Sequence, residues 1–190
     1  MTRINGFILA AFVMLISGCS TIVGSVNDGP VEINPNERTW GQWMDDQAIE
    51  TVAAVNIKKA DPAFKKSRIK AVSFNGTLLL IGQVPDARLK ELAQTTANDI
   101  TQITQVYNEL TVEPIANLLT QSNDVLLTTK IKTGLISSKK VIADHIKINT
   151  ENGTVFLMGL VTPESAEAAV DVARNTSGVK KVVKVFEYLP

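Results

Sequence analysis

Hydrophobic residues follow a pattern that occurs twice along this chain. Residues 75–84 read NGTLLLIGQV, and residues 152–161, which lie 77 positions later, read NGTVFLMGLV. Each segment begins with Asn-Gly, the pair that favours a type I′ β-hairpin because both central residues take positive φ. The apolar residues that follow occupy both faces of a strand, as expected inside a sheet. The repeat therefore predicts two copies of one small domain.

Each copy predicts the element order helix, strand, strand, helix, strand. Ahead of the first strand, apolar residues recur at the spacing of a helix face. These residues are Ile49, Val52, Ala53 and Ile57 in the first copy, and Leu127, Ile131 and Leu135 in the second. We place the two helix starts at Asp45-Asp46 and at Asn123-Asp124, where an acidic side chain can cap the helix and favour its dipole.

The other elements of the two copies also correspond. One face of the strand before the hairpin carries Ile69 and Ala71 in the first copy, and Ile146 and Ile148 in the second. The second helices carry stripes rich in small residues, and Thr162 with Pro163 forms a helix start. The stripes consist of Leu89, Leu92, Ala93, Ala97 and Ile100, and of Ala166, Ala169, Val170 and Ala173. The last strands run from about Val106 to Val112 and from about Val182 to Tyr188.

Glycine interrupts the strand after each hairpin at the same place, at Gly82 and Gly159, just as Gly76 and Gly153 complete the two turns. A repeated strand glycine indicates a bulge or a helix packed very close to the backbone.

The N-terminus is typical of an exported protein. Arg3 precedes an apolar run over residues 7–16, which is too short to span a bilayer as a helix. The run ends in Leu-Ile-Ser-Gly-Cys, which resembles the lipobox of bacterial lipoproteins. We therefore expect residues 1–18 to be a signal peptide and Cys19, the only cysteine, to be acylated. Ser20 follows in place of the aspartate that resembles an inner-membrane retention signal, which favours the outer membrane.

Composition and charge narrow the possible functions. Residues 20–44 are rich in Ser, Asn, Gly and Pro and predict a tether from the acylated cysteine, so residues 19–44 precede the first domain. The domains are 45–113 and 124–190, joined by a linker over 114–123.

The whole chain is neutral, so it does not have the charge of a nucleic-acid binder. The second copy has nine basic and seven acidic residues against eight and nine in the first, which suits an anionic lipid surface.

The αββαβ order, the Asn-Gly hairpin and the closing valine-rich strand resemble a BON domain. With the lipobox and tether, the chain resembles the dual BON-domain outer-membrane lipoproteins associated with division and outer-membrane stress. The resemblance covers about residues 36–189. It implies an α+β fold of two tandem BON domains, anchorage on the periplasmic face of the outer membrane, and binding of anionic phospholipid, mainly by the second domain, in support of envelope integrity.

The residues offer a separate argument for lipid binding. Leu126 lies about 100° away from the inward stripe of its helix, with Lys130 one turn further on. An exposed leucine above a lysine suits a membrane interface, because the leucine enters the acyl boundary and the lysine meets phosphate. Val125 and Lys132 extend the candidate site, and Lys139 and Lys140 follow them. The alternative is that Leu126 packs on the first domain or on a loop and that the lysines are only solvated.

Other features of the sequence allow interpretations besides lipid binding. Trp40 and Trp43 could touch the membrane, cap the first core, or fill the gap between domains.

His145 is the only histidine, so the sequence predicts neither a metal cluster built on histidines nor a catalytic triad. We expect no enzyme activity, no cofactor, no metal and no small-molecule substrate. The rival function is a periplasmic adaptor that docks on envelope-assembly, cell-wall or division proteins. A third reading is a structural spacer.

Overall fold

Two αββαβ units follow one another along residues 38–189, the residues that this computed structural model describes. The first unit consists of α1 (Trp40–Ala60), a 3-10 helix (Pro62–Lys66), β1 (Arg68–Phe74), β2 (Thr77–Val84), α2 (Ala87–Asn98) and β3 (Gln105–Val112). The second unit consists of α3 (Leu118–Ser137), a 3-10 helix (Ala143–His145), β4 (Ile146–Glu151), β5 (Thr154–Val161), α4 (Pro163–Arg174) and β6 (Lys181–Tyr188). The predicted α+β class is confirmed. The signal peptide, Cys19 and most of the predicted tether lie outside the described residues.

Each unit forms a three-stranded sheet with the second strand in the middle. In the first unit β2 pairs antiparallel with β1 through the hairpin and parallel with β3. The second unit repeats this arrangement with β5 between β4 and β6. A parallel pair needs a crossover, which α2 and α4 supply. The strand β2 is buried along its whole length, because it has a strand on either side and its two faces lie in different apolar clusters.

The helices of each unit bury their apolar stripes against one face of its sheet. Most of the predicted stripe residues lie in two core clusters, one per unit. Val52 is the exception, because it is 42% exposed on the solvent side of α1. Thr162 caps α4 by accepting a hydrogen bond from the Ser165 N–H, as the sequence predicts.

The first helix begins earlier than the sequence predicts. α1 starts at Trp40, and Thr39 and Gln42 form a capping box around that start. The predicted start at Asp45-Asp46 is wrong. Asp46 lies in the second turn, is 1% exposed and faces the sheet. Because the capping box already satisfies the first turn, the Asp46 carboxylate is free for another task.

The Asp46 carboxylate instead binds the hairpin turn between β1 and β2. The carboxylate of Asp46 accepts hydrogen bonds from the Asn75 N–H (2.9 Å), the Gly76 N–H (3.1 Å) and the Ser73 hydroxyl (2.6 Å). Asn75 and Gly76 both have positive φ, which confirms the predicted turn. The Arg38 guanidinium pairs with the same carboxylate at 2.5 Å. A helix side chain thus binds the backbone donors that the turn leaves unpaired.

The strand glycines lie where neighbouring backbone comes too close for a side chain. A Cβ at Gly82 would lie 2.0 Å from the carbonyl oxygen of Arg68, and a Cβ at Gly159 would lie 2.2 Å from that of His145. The pairing of β1 with β2 continues without a break across Gly82. The predicted bulge is therefore wrong at Gly82, where the start of the adjacent strand makes the approach. At Gly159 the approaching residue is the last one of the 3-10 helix that precedes β4.

The other faces of the two sheets pack against each other. Their interface is an apolar cluster drawn from both units, comprising Val72, Phe74, Leu79, Ile81, Phe156, Met158 and Val185. Polar contacts border it, including Arg68 with Glu151 (2.5 Å) and Lys147 with Glu50 (2.6 Å). Residues 35–190 form a compact unit that contains both cores and this interface. A chain that starts at residue 20 therefore keeps everything that these cores need to fold.

Candidate membrane interface

Helix α3 begins at Leu118, six residues before the predicted start at Asp124. Asn117 is the N-cap, since its side chain accepts a hydrogen bond from the Thr120 N–H (2.9 Å). The predicted start is wrong for the same reason as in the first unit. Asp124 is 5% exposed and accepts hydrogen bonds from the N–H groups of Asn152 and Gly153, both at 2.8 Å. The additional residues lengthen the helix by nearly two turns.

The side of α3 that faces away from its core carries several exposed apolar residues. Its core side buries Leu127, Ile131 and Leu135. The residues of the opposite side that are large, apolar and between 59% and 81% exposed are Leu118, Leu119, Val125, Leu126 and Ile136. We call these five residues the outer face. A surface helix normally turns charged or polar residues to solvent, so a helix that is apolar on both sides indicates a second apolar contact.

Three hydroxyl side chains that lie on the same side of α3 as the outer face are bonded within the helix. Thr129, Thr133 and Ser137 each donate a hydrogen bond to the carbonyl oxygen four residues earlier, at 2.9 to 3.0 Å. Their hydroxyls are thus satisfied within the helix, and the threonines present methyl groups. No charged residue lies between Leu118 and Lys130 on this side, and Asp124, the only charge in that span, is buried.

Two lysines lie at the edges of the outer face. Lys130 and Lys132 are both exposed. Being two positions apart, they lie about 160° apart around the helix, with the outer face between them. Neither forms a salt bridge within residues 38–189. Long lysine stems can follow an apolar surface while the ammonium groups reach polar surroundings.

The structure brings all four candidate residues of the second domain onto one helix. Val125 and Leu126 lie in the outer face, and Lys130 and Lys132 border it. Leu126 is 59% exposed, so most of its side chain is not packed against other parts of the protein. The sequence did not predict that this surface includes Leu118, Leu119 and Ile136. Asn117 followed by an apolar pair was the available signal, since asparagine is a preferred N-cap.

A second exposed apolar group lies at the start of α1. Trp40 and Trp43 stack edge to face with ring centroids 5.6 Å apart, and they are 80% and 45% exposed. They line a crevice of about 350 Å³ with Arg38, Thr39 and Asp144. Trp40 therefore does not cap the first core. His145 is half-buried in its 3-10 helix.

The described residues give no indication of a metal centre or of a membrane-spanning helix. No group of three or more His, Cys, Asp or Glu side chains within residues 38–189 is placed to hold a metal ion. In the same stretch, no helix combines the length and the apolar character needed to cross a bilayer.

Comparison with known proteins identifies relatives over most of the chain. The BON domain family matches residues 45–114 and 123–190. The chain is 38% identical over 182 residues to the outer membrane lipoprotein DolP of Haemophilus influenzae, covering 96% of this chain and 94% of that one. It is 39% identical over 152 residues to a 21 kDa hemolysin of Actinobacillus pleuropneumoniae, covering 80% and 78%. It is 27% identical to the osmotically-inducible protein Y of Escherichia coli, covering 75% and 72%.

Proposed function

Because this chain belongs to the BON-domain family and is a dual BON-domain outer-membrane lipoprotein, we propose that its second domain binds anionic phospholipid through α3 and so supports envelope integrity. The proposed role is non-enzymatic. The acyl chains on Cys19 hold the protein in the leaflet at the periplasmic face, and the contacts of α3 bias its position among lipids of different charge.

The outer face of α3 is the observation that carries this proposal. Full burial of a leucine side chain stabilises by about 1.5–3 kcal/mol relative to exposure, and the five residues of the outer face retain most of that potential. A helix with large apolar residues on both sides gains free energy when it lies in the plane of a membrane interface with its outer face in the acyl boundary.

The bordering lysines give the contact its preference for anionic lipid. A lysine near an anionic membrane surface contributes about 1 kcal/mol to the binding free energy. This attraction acts only within about one Debye length of the surface, so it weakens as salt is added. Lys130 and Lys132 lie where their ammonium groups can reach phosphate once the outer face is inserted. Two attachment signals, acyl chains and a protein surface, make a stable anchor where one signal alone is reversible.

Replacing Leu126 by glutamate tests the proposal. The protein is residues 20–190, and the measurement is co-sedimentation with vesicles of neutral lipid alone or with added phosphatidylglycerol or cardiolipin. We expect wild type to bind only the anionic vesicles, less at higher salt, and Leu126→Glu to bind at least about tenfold more weakly, because a charge enters the apolar boundary.

The matched control is Val55→Glu, since Val55 is 43% exposed on the first helix of the other domain. It introduces the same charge and should leave vesicle binding within about twofold of wild type. If wild type binds no vesicle, the lipid proposal is wrong. The outer face would then be a docking surface for an envelope-assembly or division protein.

A further inference from the structure

A crevice of about 230 Å³ opens between the two domains beside α3. Val125, Thr128 and Thr129 of α3 line one side, and Asn149 of β4 with Arg68 and Lys70 of β1 line the other. The carboxylates of Asp124 and Glu151 also line the crevice, and they are occupied by the N–H groups of the hairpin turn and by Arg68, respectively. Val125 therefore belongs both to the crevice and to the outer face. A molecule whose apolar part lies on the outer face can place a polar group in this crevice without leaving α3.

Lys70 brings a positive charge to the crevice that lacks a carboxylate partner in the described part of the chain. Its ammonium donates to the neutral Oδ1 of Asn149 at 2.6 Å. The neighbouring cationic side chains do have carboxylate partners, since Arg68 pairs with Glu151 and Lys147 pairs with Glu50. The side chain of Lys70 as a whole is exposed, but its ammonium lies against protein. Burial lowers the pKa of Lys70, and attraction to Glu151 only partly offsets that effect.

Asn149 adds a hydrogen-bond donor that is not used. The residue is 5% exposed, and its Nδ2 has no hydrogen-bond partner among the described atoms. Because an ammonium group can only donate, Lys70 fixes the amide oxygen on its own side and leaves the amide nitrogen unpaired. A buried unpaired donor costs about 1–3 kcal/mol, so an acceptor that reached it would stabilise the site.

We infer that this crevice binds the phosphate group of the anionic phospholipid whose acyl part contacts the outer face, with Lys70 and Asn149 as its ligands. The inference rests on the proposed function and deepens it. A phosphate supplies the negative charge that Lys70 lacks and the acceptor oxygens that the Asn149 amide needs. The first domain then takes part in lipid binding, because Lys70 belongs to β1.

Lys70→Gln in the protein of residues 20–190 tests the inference by vesicle co-sedimentation. We expect affinity for phosphatidylglycerol vesicles to fall roughly fivefold, since one phosphate contact is lost. Lys59→Gln is the matched control, because it removes the same charge from the exposed end of α1. It should change affinity by less than about twofold. Asn149→Asp, which neutralises Lys70 without a change of size, should weaken binding at least as much as Lys70→Gln.

A second measurement distinguishes lipid phosphate from free phosphate. Short-chain phosphatidylglycerol should shift the NMR signals of the Asn149 side-chain amide, and inorganic phosphate at equal concentration should shift them far less. Equal shifts would mean a site for free anions and would overturn the lipid assignment. Unmoved signals, or equal affinities for Lys70→Gln and Lys59→Gln while Leu126→Glu still abolishes binding, would overturn the crevice and leave the role of α3 intact. Failure of wild type to bind anionic vesicles would instead reject the proposed function.

Discussion

Gly82→Ala is expected to destabilise the first domain strongly, although it adds only a single methyl group. A Cβ would lie 2.0 Å from the Arg68 carbonyl oxygen and 3.0 Å from its carbon, both backbone atoms that cannot rotate away. The residue also has φ of +120°, which an L-residue rarely adopts. Steric overlap and backbone strain together should lower the free energy of unfolding by about 3–5 kcal/mol.

Urea denaturation of residues 20–190 measures this loss, and Gly41→Ala is its control. Gly41 lies in α1, and a Cβ there would meet only the Thr39 hydroxyl oxygen, at 3.8 Å. Alanine should stabilise that helix by up to about 1 kcal/mol. A Gly82→Ala protein that unfolds at the same urea concentration as wild type would show that the start of β1 can move aside at little cost.

Asp46→Ala is expected to cost about 3 kcal/mol, because it leaves the turn donors of Asn75 and Gly76, the Ser73 hydroxyl and the Arg38 guanidinium without their acceptor. The loss should also depend on pH. Burial alone would raise the pKa of Asp46, but the hydrogen bonds from Ser73, Gly76 and Asn75 and the charge of Arg38 outweigh burial and hold that pKa below 3.8.

A lowered pKa in the folded state fixes the sign of this dependence. The carboxylate contributes its full stability above the unfolded pKa near 3.8, and loses it as the pH falls through the lower folded pKa. Unfolding measured at pH 7 and below pH 3.8 should therefore separate wild type from Asp46→Asn at the higher pH and bring them together in acid. Asp45→Asn, at the exposed neighbouring position, should match wild type at both. A gap between wild type and Asp46→Asn that does not change with pH would contradict this account.

The fold could be predicted well because its strongest signals are local and occur twice. Asn-Gly at 75 and at 152 requires the same turn, and the strands after it are apolar on both faces. The helix stripes that end in Leu135 and Ala173 show the spacing of a buried face. Each of these patterns depends on residues that are close in sequence, where turn and helix preferences act directly.

The starts of α1 and α3 could not be predicted from the same kind of signal. An aspartate before an apolar stripe is a normal helix cap, and nothing near Asp46 or Asp124 in sequence shows that each carboxylate reaches a turn 28 to 29 residues away. The one available clue was the recurrence of nearly the same distance in both copies. Misplacing the start of α3 also hid Leu118 and Leu119, and with them the extent of the outer face.

The crevice beside α3 was still harder to predict from the sequence, because it depends on how the two domains pack against each other. Lys70 and Asn149 are 79 residues apart and belong to different sheets. No periodicity within one domain relates them. Only the packing of one sheet on the other brings a first-domain lysine next to the helix that the sequence assigned to lipid.

The packing of the two sheets suggests how such a chain could arise. Leu79 and Phe156, and likewise Ile81 and Met158, occupy equivalent positions of the two copies, 77 residues apart, and all four lie in the shared apolar cluster. Contact between equivalent surfaces is the mark of a symmetric homodimer. A lone ancestral domain with this sheet face would have had to associate with a second copy. Joining two copies in one chain turns such a concentration-dependent encounter into an intramolecular one, after which each half is free to diverge.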